Sequence, residues 1–286
     1  MTRWVGILCK HDKPEAVQIA GRLGDWLRAR GEEAFAVGSS GPGLTTIDEH
    51  RLGELALLVV LGGDGTILRG AALVAQHGVP ILGVNLGHLG FLASCAPADA
   101  QAAVEKALSG QLAVEERMRL RCVVRRTNGE TVERMACNDA VVSQGALARL
   151  IELEAWLGTG ADSALINRYR SDGLIVSTPT GSTAYNLAAG GPIVTPDVRA
   201  MVVTPICPHG LTNRPLVTRA DLSIRIRLGQ PAEHVTVTID GQWGTQLGWN
   251  DELEISEVNP PLRLHRSADS YFEVLRQKLR WGERAS

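Results

Sequence analysis

The chain has 286 residues, too many for one small domain and a suitable length for two. A net charge of −2 gives no global basic field for nucleic acid or an anionic membrane, and 4% aromatic content argues against a stacking platform for single strands. No apolar run approaches the ~18 residues of a membrane span, and the N-terminus lacks the length of a signal peptide, so the expected compartment is the cytoplasm.

Trp4 to Cys9 read as a first strand. From Asp12 to Arg30, Val17, Ile19, Ala20, Leu23, Trp26 and Leu27 recur at helical spacing, and Gly31 closes the helix. Glu33 to Val37 is a second strand and residues 39–46 a loop. Leu55 to Leu61 is apolar without interruption, the pattern of a strand buried on both faces. Gly62, Gly63, Asp64, Gly65 and Thr66 follow at once, and Ile67, Leu68, Ala71, Ala72, Val74 and Ala75 then mark a helix that stops at Gly78 and Pro80. Ile81 to Val84 is another strand, followed by the glycine-bearing stretch 85–91 and a helix over Ala98 to Leu108. Strands alternating with helices predict a Rossmann-like α/β domain with a parallel sheet over residues 1–115.

The pattern then changes. Met118 to Arg126 and Thr131 to Cys137 are strand-like, with the hairpin signal Asn128-Gly129 between them. Further strand-like runs are Arg149 to Leu157, Leu174 to Ser177, Met201 to Ile206, Leu222 to Leu228, Val235 to Ile239 and Leu253 to Ile255. The one helical stretch among them is short, around Ser182 to Ala189. Residues 116–265 are therefore expected to form an all-β domain. Residues 266–286 regain helical spacing and are expected to pack back on the first domain.

The turn at 62–66 lies at the carboxyl end of a central strand, where open α/β sheets bind ligands. Its glycines allow close backbone approach to a phosphate, and the first helical turn aims N–H groups at it. A carboxylate in such a place would repel a phosphate. Asp64 therefore suits either a bridging divalent cation or a proton taken from an attacking hydroxyl. The tetrapeptide alone is equally readable as a tight turn, and it matches neither the dinucleotide nor the P-loop fingerprint. Asn85 has an amide suited to a nucleotide hydroxyl, or to forming a turn. Asn138-Asp139 ends a strand-like run and offers an amide and a carboxylate side by side. The stretch 170–186 is dense in hydroxyls at a helix start, which suits anions and polar ligands. Asp240-Gly241-Gln242 reads as a hairpin with a weaker ligand reading. The five cysteines are odd in number and contain no C-x-x-C, so disulfides and structural zinc are not expected; Cys9 with His11 and Cys207 with His209 read as buried thiols beside surface histidines.

Taken together, Gly-Gly-Asp-Gly-Thr at 62–66, the stretch from Gly83 through Asn85, Gly87 and Gly90 to Phe91, Asn138-Asp139, and Ser171-Asp172-Gly173 leading into 178–186 resemble the motif set of the NAD kinases, in order and spacing, from residue 4 to about 281. The first motif is shared with diacylglycerol, sphingosine and phosphofructokinase-like kinases; the long 171–186 motif is far more specific. The resemblance implies transfer of the γ-phosphoryl of ATP to the 2′-hydroxyl of the adenosine ribose of NAD, with a divalent cation such as Mg²⁺, in a homodimer or homotetramer of the compact bacterial form. It implies Asp64 as general base, with Gly65 and Arg69 near the nucleotide. It carries Asn138, Asp139, Arg149, Arg170 and Asp172 over as NAD contacts, and Thr183, Ala184, Tyr185, Asn186, Leu187 and Ala188 as the lining of the dinucleotide pocket. Gln242 matches a late contact. A basic residue at 170 resembles members that prefer NAD over NADH.

Two rival functions fit fewer of these features. A lipid kinase shares the glycine turn but needs an apolar acceptor channel or a basic amphipathic helix, which the sequence does not offer. A non-catalytic NAD(P) sensor would keep the dinucleotide contacts but has little need of an acid in the phosphate turn. A hydride-transferring oxidoreductase is disfavoured because the Rossmann fingerprint is absent.

Overall fold

The structure, a computed structural model, describes residues 2–10, 12–38, 43–87, 89–145, 150–158, 160–266 and 270–281. Two compact units share the chain: residues 1–116 with 260–286, and residues 117–259.

The first unit is the expected parallel α/β domain. It contains β1 (Trp4–Cys9), α1 (Pro14–Ala29), β2 (Glu33–Ala36), β3 (Thr45–Thr46), β4 (Leu57–Gly62), α2 (Asp64–Val74), β5 (Ile81–Asn85) and α3 (Ala100–Leu108). Strand order is β5-β4-β1-β2-β3, all parallel. Side chains alternate across the sheet, and both faces are covered. Ile7, Val59 and Leu61 join α1 (Ile19, Leu23) and α3 (Val104) in one core. On the other face α2 comes close through Gly70, where a Cβ would stand 3.0–3.3 Å from Val60, Leu58 and Leu8. The register pairs Cys9 with Leu61 and Gly62 with Asn85. The loops after β1, β4 and β5 thus open at one edge. Gly31 (φ +77°) and Gly78 (φ +68°) take the left-handed backbone that ends their helices.

The second unit is all-β apart from one short helix. Along the chain follow β6 (Val114–Arg125), β7 (Thr131–Ala136), β8 (Asp139–Gln144), β9 (Ile151–Leu157), β10 (Ala164–Ser171), β11 (Gly173–Ser177), α4 (Tyr185–Ala188), β12 (Ala200–Ile206), β13 (Leu216–Arg219), β14 (Ile224–Leu228), β15 (Val235–Ile239), β16 (Trp243–Gln246) and β17 (Glu252–His265). The antiparallel order β13-β12-β11-β8-β15-β16 makes one layer, and β10-β9-β14-β17, with β6 and β7, the other. Leu153, Ile226 and Leu253 from one layer and Val142, Val176 and Val237 from the other share a single core. This is a sandwich. Val141, Ile175 and Ile206 face outward and still are buried, with Ala189 packed against them. That second covered face explains why β11 is buried at every position.

The differences from the sequence reading have physical causes. Asn138-Asp139 does not end a strand: β7 stops at Ala136 and Asp139 opens β8. In β10 only Tyr169 and Ser171 are buried; its apolar residues Ala164, Leu165 and Ile166 lie at one end outside the core and the rest is mostly polar, so it lacks the pattern of a core strand. β13 and β16, the outer strands of their layer, have no buried residue. β17 runs far beyond Leu253–Ile255 and contains Pro260 and Pro261. Its ladder with β14 covers residues 253–255 and its pairing with β5 is at Leu264, so both prolines fall outside these two pairings, and β6 pairs with the same strand. In the C-terminal segment the helix α5 (Tyr271–Leu279) is closed by a capping box between Ser270 and Glu273.

Candidate active site

β4 ends at Gly62, Gly63 is extended, and Asp64 begins α2. Thr66 explains Gly62, since a Cβ there would lie 2.5 Å from its Oγ1. Gly63 and Gly65 are different. Neither has a positive φ, and a Cβ on either would meet nothing within 4 Å. Packing does not demand glycine there; the missing side chains leave open space beside the carboxylate. Asp64 is half-buried. Its Oδ2 accepts the N–H of Phe91 at 2.9 Å and its Oδ1 that of Leu92 at 3.1 Å. A Cβ on Gly90 would stand 2.1 Å from Oδ1, so residue 90 has to be glycine for the loop to close on the carboxylate. Phe91 is held from behind by α5, with the Tyr271 ring 6.1 Å away and Lys278 Nζ 4.9 Å from its centroid. Asn85 serves its own loop, its Oδ1 accepting from Gly87 N–H at 3.1 Å. Arg69 is exposed on α2.

In the second unit the organising group is Asp240, which the sequence reading placed in a plain hairpin. It has φ +50°, and its carboxylate accepts three successive backbone N–H groups, from Cys137 (2.8 Å), Asn138 (2.7 Å) and Asp139 (3.1 Å). The only sequence signal was an Asp in a turn after a strand; its partners lie about a hundred residues away. Asp139, 5% exposed, lines a cavity of about 290 Å³ with Asn138, Ala184, Tyr185 and Asp240. Burial, with the neighbouring Asp240 charge, pushes the Asp139 carboxyl from 3.8 up to about 7. Burial raises Asp240 as well, but the three N–H groups and Arg119 oppose that rise, so Asp139 is the member that takes the proton.

The hydroxyl-rich stretch is mostly internal scaffolding, contrary to the expectation of hydroxyls free for a ligand. Thr178 Oγ1 donates to Cys137 O at 2.6 Å and accepts from Gly181 N–H. Ser177 and Ser182 bond to carbonyls, and Thr183 Oγ1 donates to Thr180 O. Asn186 is fully buried; its Nδ2 donates to Ser182 O and Pro192 O, and its Oδ1 accepts from Thr204 Oγ1 at 2.6 Å. Its side-chain amide is thus spent on the fold, whatever else the segment lines. What the stretch presents outward is Tyr185, 46% exposed, with Ala184. Gly181 sets the approach to the Asn138 backbone, whose oxygen would lie 2.2 Å from a Cβ at 181. Gly181→Ala is therefore expected to cost about 1–3 kcal/mol, as overpacking does, and to lower the melting temperature in a thermal scan; an unchanged melting temperature would mean the contact is slack.

Arg170 and Asp172 are exposed where β10 gives way to β11, and Gln242 is exposed in the turn between β15 and β16. Leu187 is half-buried and Ala188 exposed on α4. None of these five lines the cavity beside Asp139. Arg149 lies outside the described residues. Among the described residues no cluster of three His, Cys, Asp or Glu could hold a metal ion, and no helix is long and apolar enough to cross a membrane.

The profile of the ATP-NAD kinase N-terminal domain matches residues 5–112, and that of the ATP-NAD kinase C-terminal domain matches residues 137–266. The chain belongs to the NAD kinase family. NAD kinases of Syntrophobacter fumaroxidans and Geotalea daltonii are 42% and 44% identical to it, each over 98% of this chain and 99% of the relative. Among solved structures, yeast NADH kinase complexed with NADH superposes with a TM-score of 0.89 at 26% identity, covering 100% of this chain and 89% of that one. An Archaeoglobus fulgidus NAD kinase in complex with ATP gives 0.78 at 26% identity, over 97% and 98% of the two chains. As an NAD kinase the chain is an ATP-dependent phosphotransferase.

Proposed function

We propose that this NAD kinase transfers the γ-phosphoryl of ATP to the 2′-hydroxyl of the adenosine ribose of NAD, with Asp64 as the proton acceptor. The observation that carries the reading is the placement of Asp64: a carboxylate at a helix start, between two glycines whose absent side chains leave room for a ligand. The O2′–P bond forms as the bond from the γ-phosphorus to its bridging oxygen breaks. ADP leaves, and the 2′-hydroxyl proton passes to Asp64. Each carboxylate oxygen accepts one backbone N–H, which orients the group and leaves a lone pair for that proton. A carboxylate is a weak base for an alcohol, so its contribution is positioning and proton acceptance in the transition state.

Asn138 and Asp139 grip the dinucleotide through a ribose diol, with the Tyr185 ring and Ala184 beside them; the shared cavity supports this. Gly65 lies at the nucleotide. Arg69, Arg149, Arg170, Asp172 and Gln242 remain its proposed outer contacts. The structure builds no cage of protein ligands for a divalent cation among the described residues. Such an ion fits as a passenger on the ATP phosphates, which it would partly neutralise, with Asp64 as the nearest carboxylate of the turn. The protein works in the cytoplasm, in keeping with five free cysteines. It acts as a homodimer or homotetramer, supported by Leu216 (39% exposed) and Val217 (47%) on the edge strand β13.

The experiment is a coupled assay with purified protein, ATP, Mg²⁺ and NAD, reading NADP through an NADP-specific dehydrogenase. Steady NADP formation that requires ATP is the expected result. A folded protein that binds NAD but forms no NADP would overturn the reading in favour of a dinucleotide sensor.

A further inference from the structure

The loop after β1 carries a cation for which the reading above has no use. Lys13 is half-buried, and its Nζ donates to Leu86 O at 2.8 Å. It forms no ion pair with a described residue, although Lys10, three residues earlier, pairs with Asp12. Leu86 joins the two glycine turns: its N–H reaches Gly62 O at 3.4 Å, and its carbonyl takes the Lys13 ammonium. Lys13 therefore sits against the same edge that holds Asp64. A Cβ on Gly87 would stand 3.4 Å from Nζ, and Gly87 has no positive φ to demand glycine. The glycine keeps the ammonium open. Pro14 at the first position of α1 holds Lys13 in extended backbone (φ −112°, ψ 106°), outside the helix. An ammonium has three N–H donors, and the carbonyl of Leu86 uses one.

We propose that Lys13 binds the β- and γ-phosphates of the nucleotide donor and so positions the phosphoryl group beside Asp64. A half-buried ammonium with spare N–H donors and no carboxylate partner among the described residues has capacity for an anionic ligand. The three neighbouring strand ends supply what a polyphosphate needs: an open glycine turn from β4, the N–H groups at the start of α2, and this ammonium from the loop after β1. The proposal rests on the kinase reading of Asp64, and the test separates the two.

The informative variant is Lys13→Gln, whose amide keeps the hydrogen bond to Leu86 and removes the charge. Lys13→Arg keeps the charge. Wild type and both variants are compared for NADP formation and, with NAD absent, for calorimetric binding of ATP and of AMP. The expected result for Lys13→Gln is a rise of about 10–100-fold in KM or Kd for ATP, as suits loss of a charged hydrogen bond. AMP binding and KM for NAD stay within twofold, and Lys13→Arg recovers part of the loss. Equal ATP constants and equal turnover in wild type and Lys13→Gln would overturn the proposal. So would equal weakening of ATP and AMP, because a structural lysine would not tell phosphates apart. A wild type that makes no NADP, yet loses ATP over AMP on Lys13→Gln, would sink the kinase reading and leave Lys13 as a phosphate ligand.

Discussion

Asp64→Asn is expected to lower NADP turnover by about 10²–10⁴-fold, the usual worth of a general base. The geometry adds a second effect. Both carboxylate oxygens accept backbone N–H groups, from Phe91 and Leu92. An asparagine has one acceptor oxygen and an amide that donates, so one of these N–H groups would face another donor. The variant therefore loosens the backbone at Phe91 and Leu92 while it removes the proposed base. Hydrogen exchange at the Phe91 and Leu92 amides reads the loop; the coupled assay reads the chemistry. Asp64→Glu restores a carboxylate at a shifted reach and is expected to recover amide protection before it recovers turnover. Full turnover in Asp64→Asn would remove Asp64 from proton transfer, whatever the loop does.

Asp139→Asn is expected to stabilise the protein at pH 8 and to leave it little changed near pH 4. The carboxyl titrates near 7 in the folded chain and near 3.8 when unfolded, because burial and the Asp240 charge disfavour its ionised form. The folded state therefore binds the proton more tightly. Stability from this group is fully present below the unfolded value and is lost as pH rises through about 7. At about 1.4 kcal/mol per pH unit the wild type forfeits a few kcal/mol by pH 8, a shift of several degrees in melting temperature. Asparagine carries no charge and escapes the loss. Thermal melts of both proteins at pH 4.5 and pH 8 test this; the same gap at both pH values would show that another group binds the proton. NAD affinity is expected to move the other way. Below about pH 7 the neutral acid offers a ribose diol fewer acceptors, so wild-type affinity falls with pH while that of the variant stays flat.

The first domain was legible because its strands are buried on both faces and its glycines punctuate them. Leu57–Gly62 and Ile81–Asn85 are central strands, and an apolar run followed by glycine has few other readings. The second domain was legible as β and much less so strand by strand. β10 buries only Tyr169 and Ser171, β16 is four residues long with none buried, and the true start of β8 depends on Asp240, a hundred residues away. The site divided the same way. Asp64, Asn138, Asp139 and Tyr185 announce themselves by residue type in an unusual context. Asn186 and the hydroxyls of Thr178 and Ser182 carry the same letters but spend them on carbonyls and amides of their own fold. A local motif cannot show which polar groups face inward. Asp240 read only as part of a hairpin with a weak ligand reading, and Lys13 carried no signal, for the opposite reason: each is ordinary locally, and its partners come from distant turns.

The double engagement of Asp64 also bears on how such chains diverge. A residue that only performed chemistry would drift freely once a lineage gave up the reaction. Here any replacement that cannot accept two amides also unpins the neighbouring loop, so selection for a folded protein alone would preserve the acid. Inactive descendants of this scaffold would keep Asp64 long after losing turnover, and the motif's letters would outlive its activity. Decay would show earlier at Gly63 and Gly65, where the fold has room for a side chain and only the proposed ligand would object to one.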